Sequence, residues 1–355
     1  MIIYCIYIFI TASIVFLFHN NNEITFTDDN NVDRFLGDET SEDRIVLLED
    51  EHDSGIVRID VIEKAEETLD IAYYTTHKGI SREIFFGSIV EAADRGVEIR
   101  ILIDGIFHNL RGPSRDFKYM LKNHPKIELK FYEPLNLIKP WTWNNRLHDK
   151  HIIADNKYAI IGGRNIGDKY FLKNYDGDIV KDRDVLILNT NPNNNNSVIK
   201  GMKSYFNMVW NHEFSQECIK DLNYYQIKIG EKKESYLSNL LKKLEYSEEK
   251  KNYEDIDWYS RSVPTNNITF IHNPIERFNK DPRVLQEIAK VMEHGEDSIF
   301  IQSPYVIPIK HMTKHINIDK IKEKEVSILT NSLATSPNYI AMAGYENNRK
   351  KLINT

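Results

Sequence analysis

Residues 146–171 read RLHDKHIIADNKYAIIGGRNIGDKYF and contain the pattern H-x-K-x4-D-x6-G-G-x-N, filled by His148, Lys150, Asp155, Gly162, Gly163 and Asn165. The chain has only 12 histidines and 15 glycines in 355 residues. From average residue frequencies, six such matches arise by chance in a chain of this length on the order of once in 10^5. HIIAD and KYAIIGG read as two short strands joined by a turn at Asn156. Residues two apart on a strand project from one face, so His148 and Lys150 stand side by side. A neutral imidazole next to an ammonium suits attack on a phosphorus whose non-bridging oxygens need neutralising. Asn165 can donate to the same oxygens, and Gly162 and Gly163 let the backbone approach closely. The bland alternative is a surface histidine near a hairpin with a solvated lysine beside it. Joint metal ligation by His148 and His151 is disfavoured, because at strand spacing they face opposite sides.

Working outward, RIDVIEKAEETLD carries apolar residues at helical spacing and runs into the buried strand IAYY. ISREIFFGSIVEAADRG reads as a helix with Gly96 at its left-handed C-terminal cap, and VEIRILID as the next strand. Strand, helix, strand implies a right-handed crossover and a largely parallel sheet. RDFKYMLKNH reads as helix, IELKFY and DVLILN as strands, and VIKGMKSYFNMVWNH as an amphipathic helix. PRVLQEIAKVMEHGEDSIFIQSPYVIP repeats helix into strand. Placing Ile71 on Ile299 gives an offset of 228, and Val97 on Val326 gives 229, which suggests an internal duplication.

The composition, 41% hydrophobic and 28% charged, is that of a folded protein. With 46 Lys and Arg against 53 Asp and Glu, the formal charge of -7 gives no global attraction to nucleic acid. Two cysteines, Cys5 and Cys218, can build neither a disulfide framework nor a cysteine zinc site. Ile2 to Phe18 is an uncharged, mainly apolar run that would span roughly 25 Å as a helix. It lacks a basic n-region and an A-x-A-like cleavage site, so it reads as an anchor rather than a removed signal. The expectation is membrane association through this segment as a transmembrane helix, on an unspecified side of the bilayer.

The hairpin block resembles the signature of the phospholipase D superfamily at every position. GGRNIGDKYF with RLHDKHIIAD, AADRGVEIRILIDG, the Trp210 helix and IQSPYVIP look similar to the bacterial cardiolipin synthase branch. The resemblance covers most of residues 55–355. It implies a duplicated α/β sandwich in which each half supplies one H-x-K-D motif to a shared site. One histidine forms a phosphohistidine and the other protonates the leaving alcohol, with no cofactor and no metal. Carried over residue by residue, His148 is the nucleophile, Lys150, Gly163 and Asn165 bind the substrate phosphate, and Asp155 buttresses the motif. In KDRDVLIL, Asp182 matches the carboxylate that orients the nucleophile; an exposed strand-edge acid is the alternative reading.

The implied organisation is an N-terminal hydrophobic anchor or signal (1–20), an acidic tether (21–54), a first lobe with the motif (55–215), a connecting region (216–280) and the start of a second lobe (281–355). An offset of 228 carries His148 to about position 376, beyond Thr355. His272, His294, His311 and His315 have no lysine two residues on, and His124 with Lys126 meets Phe131 where the acid belongs. The second motif is thus expected from a homodimer partner or from a C-terminal half outside this sequence, and without it the lobe is incomplete. The expected substrate is a phospholipid, at a membrane, for phosphatidyl transfer or phosphodiester cleavage. The rivals are a nuclease of the same superfamily, given slight support by Lys310, Lys314, Lys320 and Lys322, and a weakly active or inactive lipid-binding remnant.

Overall fold

A computed structural model describes residues 1–14, 32–193, 195–245, 256–278, 281–307, 317–332, 342–346 and 349. Two compact units emerge: residues 1–19 with 38–270, and residues 20–37 with 271–355. The first is mixed α/β, built on a nine-stranded sheet. Its strands in chain order are β1 (Asp43–Leu48), β2 (Thr68–Tyr73), β3 (Glu98–Asp104), β4 (Ile127–Tyr132), β5 (Lys150–Ala154), β6 (Tyr158–Gly162), β7 (Asp184–Asn189), β8 (Ser215–Glu217) and β9 (Val263–Pro264). Their order across the sheet is β8-β4-β3-β2-β5-β6-β7-β1-β9. β2, β3 and β4 are parallel, as the strand–helix–strand pattern predicts, while β5, β6, β7 and β1 continue the sheet in antiparallel fashion.

The two faces are distinct because consecutive strand residues point opposite ways. Ile152 of β5 joins the main core with Phe85, Phe86 and Ile89 of the helix Ile80–Asp94 and with Phe117 and Met120 of the helix Arg115–Asn123. Its neighbour His151 points to the other face, where its ring meets Phe206 of the helix Val198–Asn211 at 5.9 Å. Gly96 takes the left-handed conformation expected of it, φ +105°, at the end of the crossover helix. The helix Tyr224–Glu245 lies on the first helical layer: Leu237 is buried in the core, and a Cβ on Gly87 would stand 2.9 Å from the Leu241 side chain.

Residues 43–54, expected as part of the acidic tether, form instead β1 and the start of the helix Glu51–Glu63. Asp43 is not solvated there. Its carboxylate accepts from Ser197 Oγ and the Val198 N–H, both at 2.7 Å. Such a long-range partner cannot be inferred from local composition.

The N-terminal expectation is overturned. Among the described residues no helix is long and apolar enough to cross a membrane. The helix Ile2–Phe9 has eight residues and passes into a five-residue π-helical turn, Ile10–Ile14. At about 1.5 Å per residue the two together reach roughly 20 Å against about 30 Å of hydrocarbon. The segment also has protein partners: Tyr4 and Tyr7 hydroxyls donate to the carbonyls of Leu137 and Ile138, and Asn144 Nδ2 donates to the Ala12 carbonyl. Membrane localisation through a transmembrane helix at the N-terminus therefore does not hold. Positions 15–20 of the proposed anchor, positions 21–31 of the tether, and Lys310 and Lys314 lie outside the described residues.

In the second unit the helix Arg283–His294 leads into β10 (Ser298–Gln302), and a short helix Ile318–Lys322 leads into β11 (Glu325–Leu329). β10 and β11 are parallel, with Ile299 opposite Val326. This is the order of elements seen from Glu51 to Asp104 in the first unit.

Candidate active site

The motif lies on the β5–β6 hairpin. Asp155 and Asn156 form its turn with φ of +51° and +54°, a left-handed pair that Asp and Asn tolerate better than most residues. β5 runs antiparallel to β2, with Tyr73 opposite Lys150. The N-terminal end of β5 therefore emerges where the parallel strands β2 and β3 terminate, and His148 stands there with one side open to solvent.

Lys150 is 5% exposed, and its Nζ lies 3.1 Å from His148 Nδ1, 3.3 Å from Nε2 and 2.7 Å from the His148 carbonyl, to which it donates. Tyr74 backs both groups: its ring centroid is 4.8 Å from that of His148 and 5.6 Å from Lys150 Nζ. Burial pushes the Lys150 ammonium down to about 8, against the upward pull of Asp149, Asp182 and Asp184. Partial burial, and then the Lys150 charge, hold His148 below the ordinary histidine value. The imidazole is thus kept neutral beside a cation.

Asp155 is a structural clamp. Its carboxylate accepts backbone N–H bonds from Glu66 (2.7 Å), Glu67 (2.9 Å) and Thr68 (2.7 Å), tying the hairpin turn to the start of β2. Removing it orphans three donors, and hydrogen bonds to a charged group contribute about 1.5–3 kcal/mol each. Asp155→Ala is expected to lower unfolding free energy by roughly 3–5 kcal/mol in urea titrations, with Asp155→Asn retaining part of it.

Asn165 is buried; its Nδ2 lies 3.1 Å from the Tyr170 hydroxyl, and its Oδ1 has no hydrogen-bond partner among the described residues. Asp182 lies against Gly163, where a Cβ would sit 2.7 Å from its Oδ1. Burial raises the Asp182 carboxyl, opposed by Arg164 and Lys150. The His148 ring nitrogens meet Lys150 Nζ, and Asp182 is felt at Lys150 as a charge.

Several residues escaped the sequence reading. Asp104, at the end of β3, accepts from the N–H groups of Ile106 and Phe107 (both 2.8 Å) and of Leu147 (3.1 Å), and pairs with Arg146 at 3.2 Å. It fixes the backbone immediately before His148. Asp149 faces away and accepts from the Tyr205 hydroxyl at 2.9 Å. Below Gly162, where a Cβ would stand 1.9 Å from Asp184 Oδ1, lies a buried ionic hub. Asp184 Oδ2 meets Arg164 Nη1 at 3.0 Å and Arg58 Nη2 at 3.1 Å, and the Ser54 hydroxyl donates to it. Burial pushes the Asp184 carboxyl up, but Arg58, Ser54 and Arg164 outweigh it and hold it below the ordinary value. Residues scattered from Ser54 to Asp184, 130 positions apart, carry no local signal of such a cluster. Among the described residues no group of three or more His, Cys, Asp or Glu side chains is arranged to hold a metal ion.

Residues 59–210, which span β2 to β7, match the family described as cardiolipin synthase, phospholipase D-like domain. A protein of Helicobacter pylori (strain ATCC 700392 / 26695) is 27% identical over 332 residues, covering 87% of this chain and 63% of its own length. Cardiolipin synthase C of Escherichia coli (strain K12) is 26% identical over 327 residues, covering 86% of this chain and 66% of its own length. The chain thus spans just under two thirds of these curated relatives. Among solved structures, phosphatidylserine synthase of Haemophilus influenzae Rd KW20 shares the fold with a TM-score of 0.54 at 12% identity, over 87% of this chain and 70% of that one. With the hairpin motif and its geometry, these likenesses support a phospholipase D superfamily protein resembling cardiolipin synthase, with residues 59–210 as its phospholipase D-like domain.

Proposed function

We propose that the chain is a phospholipid-modifying enzyme that transfers a phosphatidyl group, or cleaves a phospholipid phosphodiester, through a phosphohistidine at His148. The observation that carries this reading is the buried Lys150 ammonium held against the His148 ring at the open end of the sheet. In the first half-reaction a ring nitrogen bonds to phosphorus as the bond from phosphorus to the leaving glycerol oxygen breaks, and that oxygen takes up a proton. In the second, an alcohol or water oxygen bonds to phosphorus, gives up its proton, and the nitrogen–phosphorus bond breaks. Lys150 neutralises the non-bridging oxygens. Asn165 assists when its amide is turned so that Tyr170 donates to Oδ1, which leaves Nδ2 free to donate into the site. Asp182, through its charge at Lys150, and Asp104, through Leu147, hold the pair in place. The proton donor is the histidine of a second H-x-K element, supplied by a facing copy of this chain or by a further segment of a tandem arrangement. The matching order of elements in residues 283–329 supports a duplicated architecture.

Incubation with phosphatidylglycerol labelled at phosphorus, followed by rapid quench and peptide mass spectrometry, tests the proposal. An acid-labile phosphoryl adduct on the His148 peptide is expected, and an adduct on any other residue would overturn it. The rate should also be bell-shaped in pH. It rises as His148 loses its proton, below the ordinary histidine value, and falls as Lys150 loses its charge through about 8. A rate still climbing past pH 9 would remove Lys150 from the phosphate clamp.

A further inference from the structure

A cavity of about 350 Å³ opens beside the motif, lined by His77, Lys78, Ile106, Asn109 and Arg111 at the ends of β2 and β3. Two chains of contact join it to the site. Phe107, next to Ile106, meets Tyr74 at 5.2 Å, and Tyr74 meets His148 at 4.8 Å. On the other side His77 meets the Tyr170 ring at 5.8 Å, and the Tyr170 hydroxyl is 3.1 Å from Asn165 Nδ2.

Its lining has two cations, Lys78 and Arg111, and no carboxylate. The nearby acids are engaged: Asp104 with the backbone of residues 106, 107 and 147, and Asp168 as acceptor for the N–H groups of Ile80 and Ser81. Arg82, in the helix that follows His77, is 5% exposed and stacked on Phe117 at 4.6 Å. Its Nε and Nη1 have no hydrogen-bond partner among the described residues, although Asp116, Glu83 and Asp168 act on it at longer range. Burial, with the charges of Lys169 and Arg82, pushes His77 down to about 4, so its ring is neutral and the charge of the lining comes from Lys78 and Arg111. Two cations lining one cavity without a carboxylate are stabilised by a bound anion.

We propose that this cavity binds a second phosphate group, that of a glycerophospholipid headgroup, alongside the phosphate attacked by His148. The identity of the headgroup rests on the phosphodiester reading above; the cavity's affinity for phosphate does not. Two anionic headgroups side by side would place an acceptor alcohol near the phosphohistidine.

Lys78 is exposed and so reports on occupancy directly. The full chain is treated briefly with acetic anhydride, and Lys78 modification is quantified by mass spectrometry against exposed Lys64. The probes are inorganic phosphate, sn-glycerol 3-phosphate and dihexanoyl phosphatidylglycerol, with potassium chloride at matched ionic strength. At millimolar probe, Lys78 acetylation is expected to fall at least about fivefold while Lys64 is unchanged, with R111Q losing the protection and H148Q keeping it. Protection by all three probes assigns the site to phosphate as such, and protection by the lipid alone assigns it to the headgroup in its lipid. Equal protection by chloride, absence of protection, or protection lost in H148Q but kept in R111Q would overturn the proposal. Because H148Q has no nucleophile, the binding result stands or falls apart from the catalytic reading.

Discussion

His148→Ala is expected to lower phosphodiester turnover by at least about 10^4-fold while leaving the fold intact, since loss of a covalent nucleophile removes the entire double-displacement route. The side chain is partly open to solvent and packs mainly on Tyr74 and Lys150, so alanine leaves no deep cavity. Lys150 keeps its bond to the residue 148 carbonyl in the variant. Initial rates with labelled phosphatidylglycerol in mixed micelles, alongside circular dichroism, provide the measurement. Lys150→Met is expected to cost less, on the order of 10^2 to 10^3, because it removes charge stabilisation and leaves the attacking group. A His148→Ala rate within tenfold of the parent would sink the phosphohistidine reading; equal losses in the two variants would mean that they act only as a pair.

The largest stability effect is expected at Asp184. Asp184→Ala leaves Arg58 and Arg164, 1% and 0% exposed, facing each other without their shared carboxylate. Breaking a buried pair by removing one partner typically costs about 3–5 kcal/mol, and here two cations are stranded. For a unit of this size a loss of that order lowers Tm by roughly 10 °C. Urea and thermal unfolding of Asp184→Ala and Asp184→Asn would measure it, with asparagine expected to be milder because it still accepts from Ser54. Loss of less than about 1 kcal/mol would mean that water reaches the guanidinium groups and that the hub is not dry.

The hairpin, the parallel β2–β3–β4 core and the helix Val198–Asn211 were legible because their signals are local. Two-residue alternation, helical spacing and the Asp155–Asn156 turn all act within a few positions. The N-terminal run misled because hydropathy counts apolar letters and cannot see that Tyr4 and Tyr7 have carbonyl partners some 130 residues away. β1 was unreadable for a related reason: DRIVLL becomes a strand by lying between β7 and β9, and its acid is satisfied by Ser197. Arg58, Arg82 and Arg164 look like surface residues to any composition argument, yet all three are buried. The motif singled out the letters proposed to carry chemistry, while Tyr74 and Asp104, which pack beside them and hold their backbone, are ordinary residues in their local context.

Because β5 enters the sheet against the direction of β2, the His148 imidazole sits on the rim and not on either broad face. On the proposed mechanism a phosphodiester comes in end-on, parallel to the strands, past the loops that follow β2 and β3. The helical layers on the two faces lie out of that path. Length changes in those loops would alter which molecules are admitted, whereas changes on the outer helix Tyr224–Glu245 would leave the approach route untouched.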